Sequence, residues 1–213
     1  MPSWNIHLEV GKRLAKKLNF SEKKRKEFLL GCLLPDINNG YINNPKITKS
    51  HEVTHYNDGP EGPLNFYRDY QKAINQKDPI SFGYLFHLYT DRFLNNSFYS
   101  EIKHSPISKD LKYAEQRKIK HHDLHIYDLN FCHRLGIGSL GEAKRFAAEA
   151  NKISVIEIMP EDILDVEHIL ASKELNQNSA KSQYLFYTKE KLDNLLDDMI
   201  RNFSKNYLGE NHA

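Results

Sequence analysis

The chain has 213 residues, of which 39% are hydrophobic and 27% are charged, and its formal net charge is +2 at pH 7. This length fits one domain with a substantial core, so we expect a single domain over residues 1–213. A net charge so close to zero does not indicate a nucleic-acid partner, and we expect none. Cys32 and Cys132 are the only cysteines, which are too few for a disulfide framework.

The chain shows neither membrane-spanning nor secretory features. No apolar run reaches the length of a transmembrane helix, and residues 1–7 lack the basic and then apolar pattern of a signal peptide. We therefore expect a cytoplasmic protein without a transmembrane segment. Its oligomeric state is left open by the sequence.

The first predicted helix covers residues 4–18. Its apolar stripe repeats at spacings of three and four residues and contains His7, Val10, Leu14 and Leu18. His7 is therefore expected to face the core, where a histidine is either hydrogen-bonded or a metal ligand.

A second helix is predicted from Ser21. It must end near Leu34, because Pro35 disfavours the helical conformation in the residue before it. Asp36 follows this helix end, either as a turn residue or as a carboxylate presented from the apolar interior. Residues 38–49 are polar and contain Asn, Gly and Pro, which predicts a loop.

Two histidines follow this loop at helical spacing. His51 and His55 stand four residues apart, so a helical segment would place them on one face. Residues 64–74 form the next amphipathic pattern. A further helix is predicted to start at Pro79, with Asp78 as its N-cap.

Residues 82–94 are apolar on nearly every face, which is typical of a helix buried in the middle of a domain. This stretch carries His87 and Asp91 one helical turn apart. A buried carboxylate is costly without a partner. The partner is either the histidine alone, through a hydrogen bond in the core, or a divalent metal ion that both residues bind.

A long helical pattern is predicted over residues 108–135 and contains several histidines. The phase of its apolar positions places His122 nearer to the core than His121 and His125, which are expected at the surface.

The remaining predicted elements are also helices, over residues 139–150, 160–175 and 185–207. Only residues 153–158 show a weak strand pattern. The fold class predicted from these patterns is an all-α, single-domain helical bundle.

Nitrogen and oxygen donors recur across these elements. The candidate metal ligands are His7, Asp36, His51, His55, His87, Asp91 and His122. Such donors suit Zn²⁺ or another divalent ion, and which of His51 and His55 is a ligand stays open. A bound metal can lower the pKa of water to about 7, and two ions about 3.5–4 Å apart hold both the attacking and the leaving oxygen of a phosphoester. The chain lacks a glycine-rich phosphate loop and a Gly-x-Ser-x-Gly motif, so a serine nucleophile is not indicated.

Four segments resemble the zinc-dependent phospholipase C family, which is related in fold to the S1/P1 nucleases. They are W-x-x-H at residues 4–7, G-x-x-x-P-D at 31–36, the histidine segment at 51–56 and GYLFHLYTD at 83–91. The resemblance implies an all-helical protein that holds up to three zinc ions and cleaves phosphodiester bonds. It further implies a first zinc bound by Asp36, one histidine of the 51/55 pair, His87 and Asp91.

The same resemblance implies that His7 joins Asp91 at another ion and that Asp36 is the general base. Two features differ from the family pattern. In the secreted enzymes the tryptophan that corresponds to Trp4 is the mature N-terminus, and its amine binds zinc. In this sequence three other residues precede Trp4. No His-x-x-x-Asp/Glu pair follows Asp91. One or two ions are therefore expected rather than three.

The leading hypothesis is a cytoplasmic metal-dependent phosphoesterase whose substrate is a small soluble phosphoester. The chain has no basic stripe interleaved with aromatic residues and no amphipathic membrane anchor, which argues against polymer and bilayer substrates. One alternative is an HD-type phosphohydrolase built on His122-Asp123, with His87 upstream and Asp128 or a later aspartate downstream. The other is a non-catalytic helical protein that holds a structural metal.

Overall fold

The computed structural model describes residues 3–38, 48–59, 61–106, 110–174 and 183–209. These residues form nine α-helices and two short 3₁₀ segments without a β-strand, which confirms the predicted all-α class. The helices are α1 (Trp4–Lys17), α2 (Glu22–Gly31), α3 (His51–Thr54), α4 (Gly62–Asn75), α5 (Pro79–His104), α6 (Tyr113–Asp128), α7 (Leu140–Ala150), α8 (Pro160–Glu174) and α9 (Lys189–Leu208). The 3₁₀ segments are Leu34–Asp36 and Tyr56–Asp58.

Short polar side chains begin most of these helices. Each accepts a hydrogen bond from a backbone amide in the first turn, which satisfies a donor that the helix itself leaves free. The capping residues are Ser3, Ser21, Ser50, Asp78, Ser139 and Thr188. The predicted caps Ser21 and Asp78 are confirmed.

Helix α5 is the central element of the fold. It packs most extensively against α2, where the two backbones meet at Gly31 and Gly83. A Cβ atom on Gly83 would collide with the carbonyl oxygen of Phe28 in α2, so only glycine allows this approach. The close contact places the end of α2, and the 3₁₀ segment that carries Asp36, beside the middle of α5.

The structure corrects several predicted boundaries. Helix α5 does not loosen after residue 95 but continues to His104, because Phe98 and Ile102 extend its buried face. Helix α6 ends at Asp128 and not near residue 135, since the Asn130 side chain donates to the last-turn carbonyls of Ile126 and Tyr127.

The weak strand prediction is wrong. Residues 153–158 form no strand, because the Asn151 side chain bonds both the amide and the carbonyl of Ile158 and closes this segment into a loop. None of the helices in the described residues has the length and apolar character needed to cross a membrane.

Candidate metal centre

Five of the predicted ligands meet in the interior of the bundle. They come from four elements: His7 from α1, Asp36 from the 3₁₀ segment, His55 from the end of α3, and His87 and Asp91 from α5. Each is at most 2% exposed to solvent. The arrangement therefore brings three imidazoles and two carboxylates into a volume that excludes water.

The first group of donor atoms surrounds one carboxylate oxygen of Asp91. The Nε2 atoms of His55 and His87 lie 3.3 Å from each other, and each lies 3.5 Å from Asp91 Oδ2. Asp36 completes the group, with Oδ1 3.5 Å from His55 Nε2 and Oδ2 4.0 Å from His87 Nε2. The donor atoms of Asp36, His55 and His87 lie within 4.8 Å of one another, and Asp91 Oδ2 lies beside both imidazoles.

The second group uses the other oxygen of Asp91. His7 Nε2 lies 3.3 Å from Asp91 Oδ1, and the His7 ring stacks on the His87 ring with centroids 3.9 Å apart. Asp91 therefore divides its two oxygens between two sets of imidazoles.

These contacts fit a shared cation better than they fit hydrogen bonds. Neither Asp91 oxygen has a hydrogen-bond partner of acceptable geometry among the described residues, and neither does His7 Nε2. In a tetrahedral zinc site with bonds of about 2.0–2.1 Å, neighbouring ligand atoms lie about 3.3 Å apart. Most of the measured separations fall within a few tenths of an ångström of this value.

Hydrogen bonds behind the cluster orient two of its imidazoles. His87 Nδ1 lies 2.7 Å from the carbonyl oxygen of Cys32, which can only accept, so Nδ1 donates and Nε2 faces the cluster. His55 Nδ1 lies 3.2 Å from the His51 carbonyl oxygen and 2.9 Å from Thr54 Oγ1. This arrangement is typical of histidines that bind metals.

The charges in the cluster also favour a cation. Burial acts to raise the pKa of Asp91, but the neighbouring imidazoles outweigh it and hold the pKa well below its usual range. Burial and the neighbouring His87 lower the pKa of His7, although Asp91 and Asp36 act to raise it. For His87, burial acts to lower the pKa, but the carboxylates of Asp36 and Asp91 produce a net rise.

The structure distinguishes His55 from His51. The half-buried ring of His51 packs against that of His55 at a tilt, with centroids 3.8 Å apart, and His51 belongs to neither group of donor atoms. Its backbone carbonyl accepts from His55, and His51 therefore supports the ligand instead of acting as one in this arrangement.

The structure does not bring His122 to this cluster. The prediction that His122 faces the core is wrong: it is half-buried like His121, and its Nε2 lies 3.1 Å from the carbonyl oxygen of Gln183. His125 is exposed, as predicted. The residue of α6 that faces inward is Asp123, because the buried stripe of this helix runs one position further along the chain than expected.

Asp123 has a different role from that in the HD-type alternative. Its carboxylate accepts hydrogen bonds from the backbone amides of Leu185, Phe186 and Tyr187 at 2.7–2.9 Å. It therefore binds the amides of residues 185–187 outside any helix, which is why α9 begins at Lys189 and not at residue 185. Neither half of the His122-Asp123 pair is directed at the donor cluster.

The supporting residues of the cluster were not identified from the sequence. The Tyr84 hydroxyl donates to the carbonyl oxygen of Thr54 at 2.5 Å and so ties α3, which precedes His55, to α5. The spacing of Tyr84, His87 and Asp91 at three and four residues was the available signal, since it places all three on one face of α5.

Comparisons of the chain with protein-family models, with curated proteins and with solved structures found no match.

Proposed function

We propose that this protein is a divalent-metal-dependent hydrolase of phosphoester bonds, of the phospholipase C and P1 nuclease type. The observation that carries the proposal is the position of Asp91, whose Oδ2 faces His55 and His87 and whose Oδ1 faces His7. A carboxylate placed in this way can bridge two ions, as the two-metal mechanism of phosphoester hydrolysis requires. Structural zinc sites, in contrast, hold one ion and are built largely from cysteine.

The ligands divide between the two positions. Asp36, His55, His87 and Asp91 Oδ2 would hold the first ion, and His7 and Asp91 Oδ1 would hold the second. Zn²⁺ is the first candidate, because imidazole and carboxylate donors at tetrahedral spacing suit it. When bound, such ions polarise a phosphoryl oxygen and activate a water molecule.

The protein's own groups would contribute orientation and proton transfer. The Cys32 carbonyl fixes the tautomer of His87, and the end of α3 fixes that of His55, so both rings present a lone pair without rearrangement. Asp36, which the family resemblance singles out, is the proposed general base. Its carboxylate belongs to the first set of ligands, so the group that accepts the proton would lie beside the reacting atoms.

The proposed substrate is a small soluble phosphoester, and the proposed place of action is the cytoplasm. Both follow from the charge and the composition of the chain, and both extend the proposal made for the site.

A second candidate is a non-catalytic protein with a structural metal. The burial of all five ligands favours it, since a catalytic zinc keeps an open coordination position that substrate can reach.

One experiment separates the two candidates. The purified protein is loaded with Zn²⁺, its metal content is measured by mass spectrometry, and hydrolysis of bis-p-nitrophenyl phosphate is followed. His55→Gln should lose metal and turnover, whereas the matched variant His122→Gln should keep both. A panel of cyclic nucleotides, glycerophosphodiesters, phospholipid vesicles and single-stranded DNA then identifies the substrate class.

The outcomes are distinct. Metal-dependent turnover that only His55→Gln abolishes supports the hydrolase. Stoichiometric metal without turnover on any of these substrates supports the structural role. A protein that binds no divalent metal would refute both candidates.

A further inference from the structure

A surface cleft of about 400 Å³ lies between α4, α5 and α9. Successive side chains of a helix are turned by about 100°, so Arg92 and Phe93 point away from Asp91, and the cleft lies across α5 from the metal centre. Its lining includes Tyr89, Arg92, Phe93, Asn96, Asn206 and Tyr207. Its composition, one cation among aromatic rings and amides, is typical of a ligand site.

Aromatic rings form one wall of this cleft. Tyr89 packs against Phe93 with ring centroids 6.1 Å apart and against Tyr207 with centroids 5.8 Å apart at nearly a right angle. All three rings are only half-buried, so each leaves part of its face or edge open to the cleft. A flat aromatic ligand can extend this cluster of rings.

Among the described residues that line the cleft, Arg92 carries the only formal charge. No carboxylate of the described residues lies within 4.0 Å of its guanidinium group, although it is half-buried. Burial raises the pKa of both Tyr89 and Tyr207, and the Arg92 charge acts against that rise in each. Arg92 and both tyrosines line the same cleft.

Amide groups complete the lining. The side chain of Asn206 makes one long contact, 3.5 Å from Nδ2 to the Tyr89 hydroxyl, and Asn96 is exposed at the cleft. Both amides can donate to an anionic oxygen beside Arg92.

We propose that this cleft binds a small aromatic anion, a flat ring that carries a carboxylate or a phosphate group, independently of the metal centre. The guanidinium would pair with the anionic group and the ring would pack against Tyr89 and Tyr207. An aromatic cation would be repelled by Arg92, and a neutral ring would leave the guanidinium without a partner. The cleft volume lies within the range of small-molecule sites.

Saturation-transfer NMR with phenyl phosphate, benzoate, phenol and inorganic phosphate tests this site. Phenyl phosphate or benzoate should bind more tightly than phenol and phosphate, and the stronger of the two identifies the anionic group. Arg92→Gln should weaken that binding by about tenfold to a hundredfold. Tyr207→Leu should weaken it by about twofold to tenfold. The control Arg117→Gln removes a surface arginine of α6 and should change nothing.

A chelator separates this cleft from the metal centre, which would also attract a phosphate ester. Binding that survives the chelator and is lost in Arg92→Gln supports the cleft, whether or not the protein hydrolyses phosphoesters. The proposal is overturned when binding disappears with the chelator and persists in Arg92→Gln. It is also overturned when neither aromatic anion binds more tightly than phenol.

Discussion

Asp91 of α5 and Asp123 of α6 are both buried carboxylates, 2% and 0% exposed, yet the protein accommodates their charges in different ways. Asp123 accepts hydrogen bonds from three consecutive backbone amides. Asp91 faces three imidazole nitrogens at 3.3–3.5 Å, none of which makes a hydrogen bond of acceptable geometry to it. Burial alone therefore does not distinguish a candidate metal ligand from a structural carboxylate.

The difference lies in what surrounds each charge. Backbone N–H groups present the positive ends of dipoles, so they satisfy Asp123 without a further ion. The Nε2 lone pairs of His55 and His87 repel the oxygens of Asp91 unless a proton or a cation lies between them. A helical histidine–carboxylate pair indicates a metal when the ring nitrogens are held by partners on their far side, as His87 is by Cys32.

The largest expected effect comes from removing the cation that Asp91 would share. A metal present at a thousand times its dissociation constant stabilises the fold by about 4 kcal/mol. For a chain of this length, that corresponds to a fall in Tm of about 10 °C when a chelator is added. Melting with and without chelator, after the metal content has been verified, measures it. Asp91→Asn should show no chelator effect, and an unchanged wild-type midpoint would contradict a buried metal.

The second largest effect is expected from a change at Asp123, the other buried carboxylate. Asp123→Asn loses charge-assisted hydrogen bonds, because its single acceptor oxygen cannot serve the amides that the two carboxylate oxygens share. We expect the free energy of unfolding to fall by about 3 kcal/mol, measured in urea, while the metal content stays that of the wild type. Loss of metal in this variant would show that Asp123 belongs to a metal site after all.

A smaller effect is expected from Tyr84→Phe, which tests whether groups behind the candidate ligands position them. The variant removes the hydroxyl that holds Thr54, and with it the neighbouring His55. We expect a loss of about 1 kcal/mol in stability and of about tenfold in metal affinity, measured by competition with a chromophoric chelator. Tyr70→Phe is the matched control, since its hydroxyl contacts Ser154 and not the centre. Equal affinities in the two variants would contradict a positioning role.

The smallest effect is expected at Asp193, a partly exposed carboxylate that contrasts with the buried Asp91 and Asp123. Burial acts to raise its pKa, but hydrogen bonds from Lys189, Tyr127 and Arg13 lower it from 3.8 to about 2. Its contribution to stability is therefore complete above pH 4 and is lost as the pH falls through about 2. Because solvent screens this group, we expect less than about 1 kcal/mol. The stability gap between wild type and Asp193→Asn should narrow from pH 6 to pH 2.5, and a widening gap would contradict this sign.

The sequence by itself determined the features that depend on neighbouring residues. The spacing of His87 and Asp91 places both on one face of α5 whatever the rest of the chain does. The phase of the α1 stripe turns His7 inward. The predicted end of α2 near Leu34 is too late, because α2 ends at Gly31 and Pro35 lies in the separate 3₁₀ segment Leu34–Asp36. Caps and apolar periodicity likewise determine the all-α class, because helices form through contacts three and four residues apart.

Only the tertiary structure decided between residues that local spacing leaves equivalent. His55 and not His51 reaches the cluster, because the Tyr84 hydroxyl and the close contact between α2 and α5 set how α3 meets α5. Asp123 and not His122 faces inward, because the backbone amides of residues 185–187 lie against that side of α6. Both choices depend on groups that are distant along the chain, and no short sequence pattern records how such groups come together.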